Sequence, residues 1–164
     1  MVRRVFFSFH YERDSVRAGQ VRNSNVIKSN NVVPSEFIDA ANWEQVKRGG
    51  ETAIKNWILK QLNGTSVTVV LIGAKTSERE WVKYEIDESL KRGNGLLGIY
   101  IHKCRVFDGS TDIKGKNPFD NLYFNRNGKK VYLSEVYKTY DWVDNNGREN
   151  LGTWIEQSAK EAGK

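Results

Sequence analysis

At 164 residues, 38% hydrophobic and 28% charged, the chain reads as one soluble globular domain (1–164) with a sizeable core, and not as a disordered segment. Its net charge of +6 is uneven: Arg3, Arg4, Arg13, Arg17, Arg22 and Lys28 face only Glu12 and Asp14 in the first thirty residues, and with no nucleic-acid-binding signature beside them they suggest a solvated face or attraction of a small anion. No apolar run is long enough to cross a membrane, Met1-Val2-Arg3-Arg4-Val5 lacks a signal-peptide shape, and the lone Cys104 excludes an intrachain disulfide or a cysteine-rich metal site, so a cytoplasmic protein without nucleic-acid or membrane partners is expected.

Val5-Phe6-Phe7-Ser8-Phe9 is short, aromatic and β-branched, and predicts a first strand. A helix is expected from about Asp14 to Ile27. Ser35-Glu36-Phe37-Ile38-Asp39, after Pro34, predicts a second strand, followed by a loop from Ala40 to Gly50 that carries Trp43. Ala53, Ile54, Trp57, Ile58 and Leu62 recur at helical spacing, and Asn63-Gly64 ends that helix. Val67-Thr68-Val69-Val70-Leu71-Ile72-Gly73 is apolar and β-branched without strict alternation, as in a parallel strand buried on both faces.

The helix that follows opens with Ser77-Glu78-Arg79-Glu80-Trp81. Ser77 and Glu80 have capping-box spacing. Val82, Ile86, Ser89 and Leu90 form its core stripe, and it ends near Gly93. Asp87 and Glu88 each have a base four positions on, Lys91 and Arg92; Glu85 has none. Its helical neighbours are Trp81, Val82, Glu88 and Ser89. A carboxyl between apolar surface and another acid should have a raised pKa, a common preparation for chemistry. From this stretch alone, an ordinary helix-surface glutamate is the simpler reading.

Leu96-Leu97-Gly98-Ile99-Tyr100-Ile101 predicts another buried strand. An irregular insertion spans about 103–138, in which Tyr123-Phe124 and Val131-Tyr132-Leu133 flank Asn127-Gly128 as a hairpin. Thr139–Val143 predicts the last strand, and Leu151, Trp154, Ile155, Ala159 and Ala162 a final amphipathic helix. Alternating strand and helix argues for a flavodoxin-like α/β sandwich, a five-stranded mostly parallel sheet of order 2-1-3-4-5. Ligands of such sheets sit beyond the carboxyl ends of the strands where the order reverses. Here Phe9-His10-Tyr11 and the segment from Gly73 to Trp81 would wall that crevice, with Glu85 beside it.

Four segments together resemble the Toll/interleukin receptor (TIR) domain family, and more closely the TIR-like proteins of bacterial Thoeris anti-phage systems. They are Val5–Phe9 as the first-strand box, Phe37-Ile38-Asp39 as the second strand, Gly64–Gly73 as the central strand, and Trp81 with Glu85 as the Trp-x-x-x-Glu helix. The likeness covers most of residues 3–103. Val82 stands where many TIR domains have Cys, the loop after Asp39 lacks the receptor Arg-Asp…Pro-Gly pattern, and the insertion has no counterpart. The first two departures leave Glu85 untouched and argue against a receptor-adaptor role more than against catalysis.

The resemblance implies cleavage of the nicotinamide–ribose bond of NAD, with Glu85 as the catalytic carboxylate. NAD is then the substrate, and no cofactor or metal is needed; His10 and His102 are not at metal-ligand spacing. One carboxylate near the ribose can stabilise an oxocarbenium-like transition state. Water capture gives ADP-ribose; capture within the molecule gives a cyclic ADP-ribose isomer, the favoured product. Phe9, His10 and Tyr11 would line the dinucleotide, or form an ordinary strand end. Ser8 would approach the ribose or satisfy backbone. Trp81 would shape the pocket. Trp43 would stack on a base, pack on the core, or anchor self-association as an exposed loop residue. The resemblance further implies a diffusible product read by a separate effector protein. The alternatives are a non-catalytic TIR-fold interaction module and a nucleoside deoxyribosyltransferase-like enzyme. A phosphorelay receiver is set aside, because Ser8-Phe9-His10 stands where acidic residues belong.

Overall fold

The computed structural model describes residues 2–24, 32–35 and 40–164. In chain order the elements are β1 (Arg3–Ser8), α1 (Ser15–Arg22), β2 (Val32–Pro34), α2 (Ala40–Arg48), α3 (Gly50–Leu62), β3 (Val67–Ile72), α4 (Glu80–Lys91), β4 (Gly95–Tyr100), β5 (Tyr123–Arg126), β6 (Lys129–Tyr132), α5 (Leu133–Val136), β7 (Thr139–Asp141) and α6 (Gly147–Glu161). The main sheet has the order β2-β1-β3-β4-β7, and every pairing is parallel. This is the expected flavodoxin-like topology, with β7 as the fifth strand and β5–β6 as a separate antiparallel hairpin.

β3 shows why its sequence does not alternate. Val67, Val69 and Leu71 enter one core with α1, α3 and α6; Val70 and Ile72 enter a second with Val82 and Ile86 of α4. Both faces are covered, so all six residues are buried. The insertion completes the second core through the buried Phe119 and Leu133. Gly98 allows this approach: a Cβ there would lie 2.9 Å from Ile72 and 3.3 Å from the Phe119 ring. Asn127 and Gly128 turn the hairpin, both at positive φ (53° and 79°), as a tight turn between right-twisted strands requires.

Several boundaries differ from expectation. The strand that pairs with β1 is Val32–Pro34, a segment not expected to be one; two valines pair with Arg3 and Arg4, and Pro34 is tolerated because β2 is an edge strand among the described residues. Phe37-Ile38-Asp39 lies outside the described residues. The first helix ends at Arg22, where Asn23 and Ser24 take turn geometry, and residues 25–27 also fall outside. The expected loop after Ala40 is instead helix α2, whose Trp43 is fully buried. Its apolar stripe is only Trp43 and Val46, too thin to show as periodicity. The Ser77/Glu80 capping box does not form: Ser77 lies in a 3-10 turn, Thr76–Glu78, and α4 starts at Glu80 after an extended Arg79. Thr76 Oγ1 accepts instead from the Gly73 N–H at 2.8 Å. Glu88 pairs with Lys91, not Arg92, whose guanidinium donates to the Leu59 carbonyl.

Candidate active site

The last residue of β1, Ser8, is fully buried beneath α4. The chain then turns through Phe9, His10 and Tyr11, and Tyr11 reaches back into the protein. Its hydroxyl donates to Glu85 Oε2 at 3.0 Å. Glu85 is 0% exposed, so the reading of it as a surface residue is overturned. α4 holds it firmly: Ser89 Oγ donates to the Glu85 carbonyl at 2.6 Å and contacts Thr68 Oγ1 of β3 at 2.7 Å.

The carboxyl pKa is raised well above the usual range, as anticipated, and burial is the dominant cause. Tyr11, Ser8 and the charge of Arg79 pull the other way, favouring the ionised form. Glu85 therefore does have a cation nearby, at the start of its own helix, outside the four-residue spacing inspected in the sequence. Ser8 stabilises the carboxylate by proximity without hydrogen-bond geometry; Ser8 Oγ and Glu85 Oε1 are both buried and unpartnered among the described residues. The Tyr11 phenol is itself pushed upward by burial and by Glu85, so it remains a donor.

Tyr11 is the hub of an aromatic cover. Its ring centroid lies 4.5 Å from Phe9, 4.7 Å from Trp43 and 5.7 Å from Trp57. Trp43 is thus packed on the core at the site's edge and not exposed as an interface anchor. Its indole N–H donates to Glu12 Oε1 at 3.3 Å. His10 is half-buried, and its Nδ1 accepts from the Arg13 N–H at 3.3 Å. Burial first, then Arg79, lower its pKa, so it is neutral at pH 7. Trp81 is half-buried, edge-on to Tyr84 at 5.8 Å, and packs against the larger core.

Ser8, Tyr11, Trp43 and Glu85 thus share one cluster, Phe9 adjoins it, and His10 lies beside Arg79. Sequence reasoning missed Glu12, Lys47, Trp57 and Arg79. Trp57 carried only a core signal, and the three charged residues are distant in sequence. The expected crevice between β1 and β3 is tightly closed. A Cβ on Gly73 would lie 2.1 Å from Asp14 Oδ2, and one on Gly115 of the insertion 1.9 Å from the Gly73 carbonyl. Arg13 fastens this insertion through Asp112 at 2.6 Å. A cleft of about 670 Å³ lies elsewhere, along Arg3, Val32 and Glu156, and has no part in this cluster. Cys104 is buried after β4, with its thiol pushed up to about 11 by burial, an unreactive state.

Residues 6–105 match the family model described as "Thoeris protein ThsB, TIR-like domain". A Bacillus cereus (strain MSX-D12) protein named "Putative cyclic ADP-D-ribose synthase ThsB1" is 36% identical over 193 aligned positions, which cover 94% of this chain and all of that relative.

Proposed function

The chain belongs to the family of the Thoeris protein ThsB TIR-like domain, and from that premise we propose that it cleaves the nicotinamide–ribose bond of NAD and closes the ADP-ribosyl product into a cyclic isomer. The observation that carries this reading is Glu85: a buried carboxyl beside the strand-order switch, fixed through Oε2 by Tyr11 and with Oε1 unpartnered among the described residues. The bond between C1′ and the nicotinamide nitrogen breaks with its electron pair going to nicotinamide. This leaving group departs neutral and needs no acid. Positive charge develops on the ribose, where an ionised Glu85 stabilises it most strongly in a dry site. The pyridinium of bound NAD, with Tyr11, Ser8 and Arg79, would draw Glu85 into its charged form. A nitrogen or hydroxyl of the same molecule then bonds to C1′, and Glu85 can take up any proton it releases. No metal or cofactor enters this scheme.

Because Glu85 is 0% exposed, the Tyr11–Trp43 cover must shift before a ribose can meet it. An activating trigger or self-association that moves α2 suits this need. The product would act on a separate effector in anti-phage defence, drawing on the cytoplasmic NAD pool. The same burial favours a second reading, in which the cluster only holds the fold of a non-catalytic module. Chromatography after incubation with NAD, at low and high protein concentration, separates the readings. Nicotinamide with an equal amount of a cyclic product supports the first; intact NAD from phage-challenged cells as well as from purified protein supports the second.

A further inference from the structure

We propose that Arg79, Lys47 and the indole N–H of Trp43 form a diphosphate-binding site, and that the Glu12 carboxylate occupies it while no substrate is bound. The inference rests on the NAD reading above, since it assigns the dinucleotide's own diphosphate to this site. Three donors from two separate elements converge on one oxygen. Glu12 Oε1 accepts from Lys47 Nζ at 2.7 Å and from Trp43 Nε1 at 3.3 Å, both on α2, and lies 3.7 Å from Arg79 Nη2. Two positive charges and a neutral donor around one anionic oxygen is the chemistry of a phosphate cradle. Glu44 also holds Lys47, at 2.9 Å, but not the other two.

Glu12 is an incomplete occupant. Arg79 stands beyond hydrogen-bond reach of it, and among the described residues its guanidinium makes no side-chain hydrogen bond. A guanidinium is built for two parallel bonds to a phosphate, so its main capacity is unspent. The side chains are open enough to exchange partners: Glu12 is 40% exposed, Lys47 31% and Arg79 26%. Arg79 also precedes α4, whose first-turn N–H groups have no side-chain cap among the described residues and favour an anion.

The position suits the substrate. Glu12 follows Tyr11, so their Cα atoms are about 3.8 Å apart, and Tyr11 spans from there to Glu85. In NAD the diphosphate is attached to C5′ of the ribose whose C1′ carries nicotinamide. An anion at this site therefore brings that ribose toward Glu85. Displacing Glu12 passes the Trp43 N–H from Glu12 to the diphosphate, so substrate binding acts directly on the cover.

The test uses inorganic pyrophosphate and ADP-ribose, neither of which needs to be cleaved. Their affinities are measured by calorimetry for the full chain and for Glu12→Gln, Arg79→Gln and Lys47→Gln, with thermal unfolding to verify folding. Removing the internal competitor should tighten both ligands about tenfold in Glu12→Gln, and losing either cation should weaken them about tenfold, the size of one charge-assisted hydrogen bond. Binding should also raise the His10 pKa, read by NMR, because an anion of at least two negative charges then stands beside Arg79 in place of the single charge of Glu12. A purely structural latch predicts the opposite sign for Glu12→Gln, weaker binding through a loosened α2; that result, or no response in any variant, overturns the proposal. If pyrophosphate responds as expected while NAD stays intact, the site stands and the enzymatic reading fails. If NAD is cleaved while the charge variants leave KM and affinity unchanged, the reverse holds.

Discussion

Substituting Glu85 with Gln should make folding stability less dependent on pH, and the sign follows from burial. In the unfolded chain Glu85 ionises near the ordinary carboxylate value; in the fold, burial holds the proton to higher pH. Above the unfolded value the native state thus binds more protons than the unfolded state. The stability that the neutral carboxyl contributes is fully present below the unfolded pKa and is lost as pH rises through the folded one. The slope can reach about 1.4 kcal/mol per pH unit in that window. Gln is nearly isosteric, cannot ionise, and can accept from Tyr11 while its amide N–H donates to the nearby Ser8 Oγ, unpartnered among the described residues. Urea unfolding of wild type and Glu85→Gln from pH 4 to pH 8 isolates the effect, since other titrating groups cancel in the difference. The variant should gain on the wild type as pH rises, by roughly 1–3 kcal/mol in total. In a domain of this size, 1 kcal/mol moves Tm by about 2–4 °C. A difference that is flat with pH, or that shrinks as pH rises, refutes the claim that Glu85 is buried and proton-retaining.

Tyr11→Phe keeps the ring packing and removes one donor to a buried carboxyl, so it should cost about 1–2 kcal/mol of stability by urea unfolding and lower kcat in an active preparation by about tenfold or more. Unchanged kcat would mean that the hydrogen bond does not position Glu85. Trp43→Ala should destabilise the fold by about 3–5 kcal/mol, because the side chain is fully buried against Tyr11 and Trp57. A loss below 1 kcal/mol, with oligomerisation abolished in light scattering, would instead return Trp43 to the surface role that its irregular sequence context suggested.

The parallel sheet was legible because β3 and β4 are apolar runs with no alternation, a pattern that only burial on both faces explains. The hairpin was legible from Asn127-Gly128, since few other dipeptides take two positive φ values in succession. Strand β2 at Val32–Pro34 went unread because Pro34 reads as a boundary, and an edge strand can accommodate it. Helix α2 escaped notice because its burial depends on two residues, Trp43 and Val46, and on tertiary partners contributed by Tyr11 and Glu12. The same reason hid half of the candidate site. Trp81 and Glu85 share a helix, so their spacing is visible in sequence; Tyr11, Glu12, Lys47 and Arg79 meet only after the sheet has folded. Outside that hairpin the insertion gave no local pattern, because its order comes from long-range contacts, the Arg13–Asp112 ion pair and the burial of Phe119 and Leu133.

Nicotinamide release from NAD by an active preparation, compared between the wild type and Glu85→Gln, tests the central claim most directly. Both proteins should show the same fold by circular dichroism. The wild type should release nicotinamide with an equal amount of a cyclic ADP-ribose isomer, and the variant should release none above background. Full turnover by Glu85→Gln would contradict the assignment of Glu85 as the catalytic carboxylate.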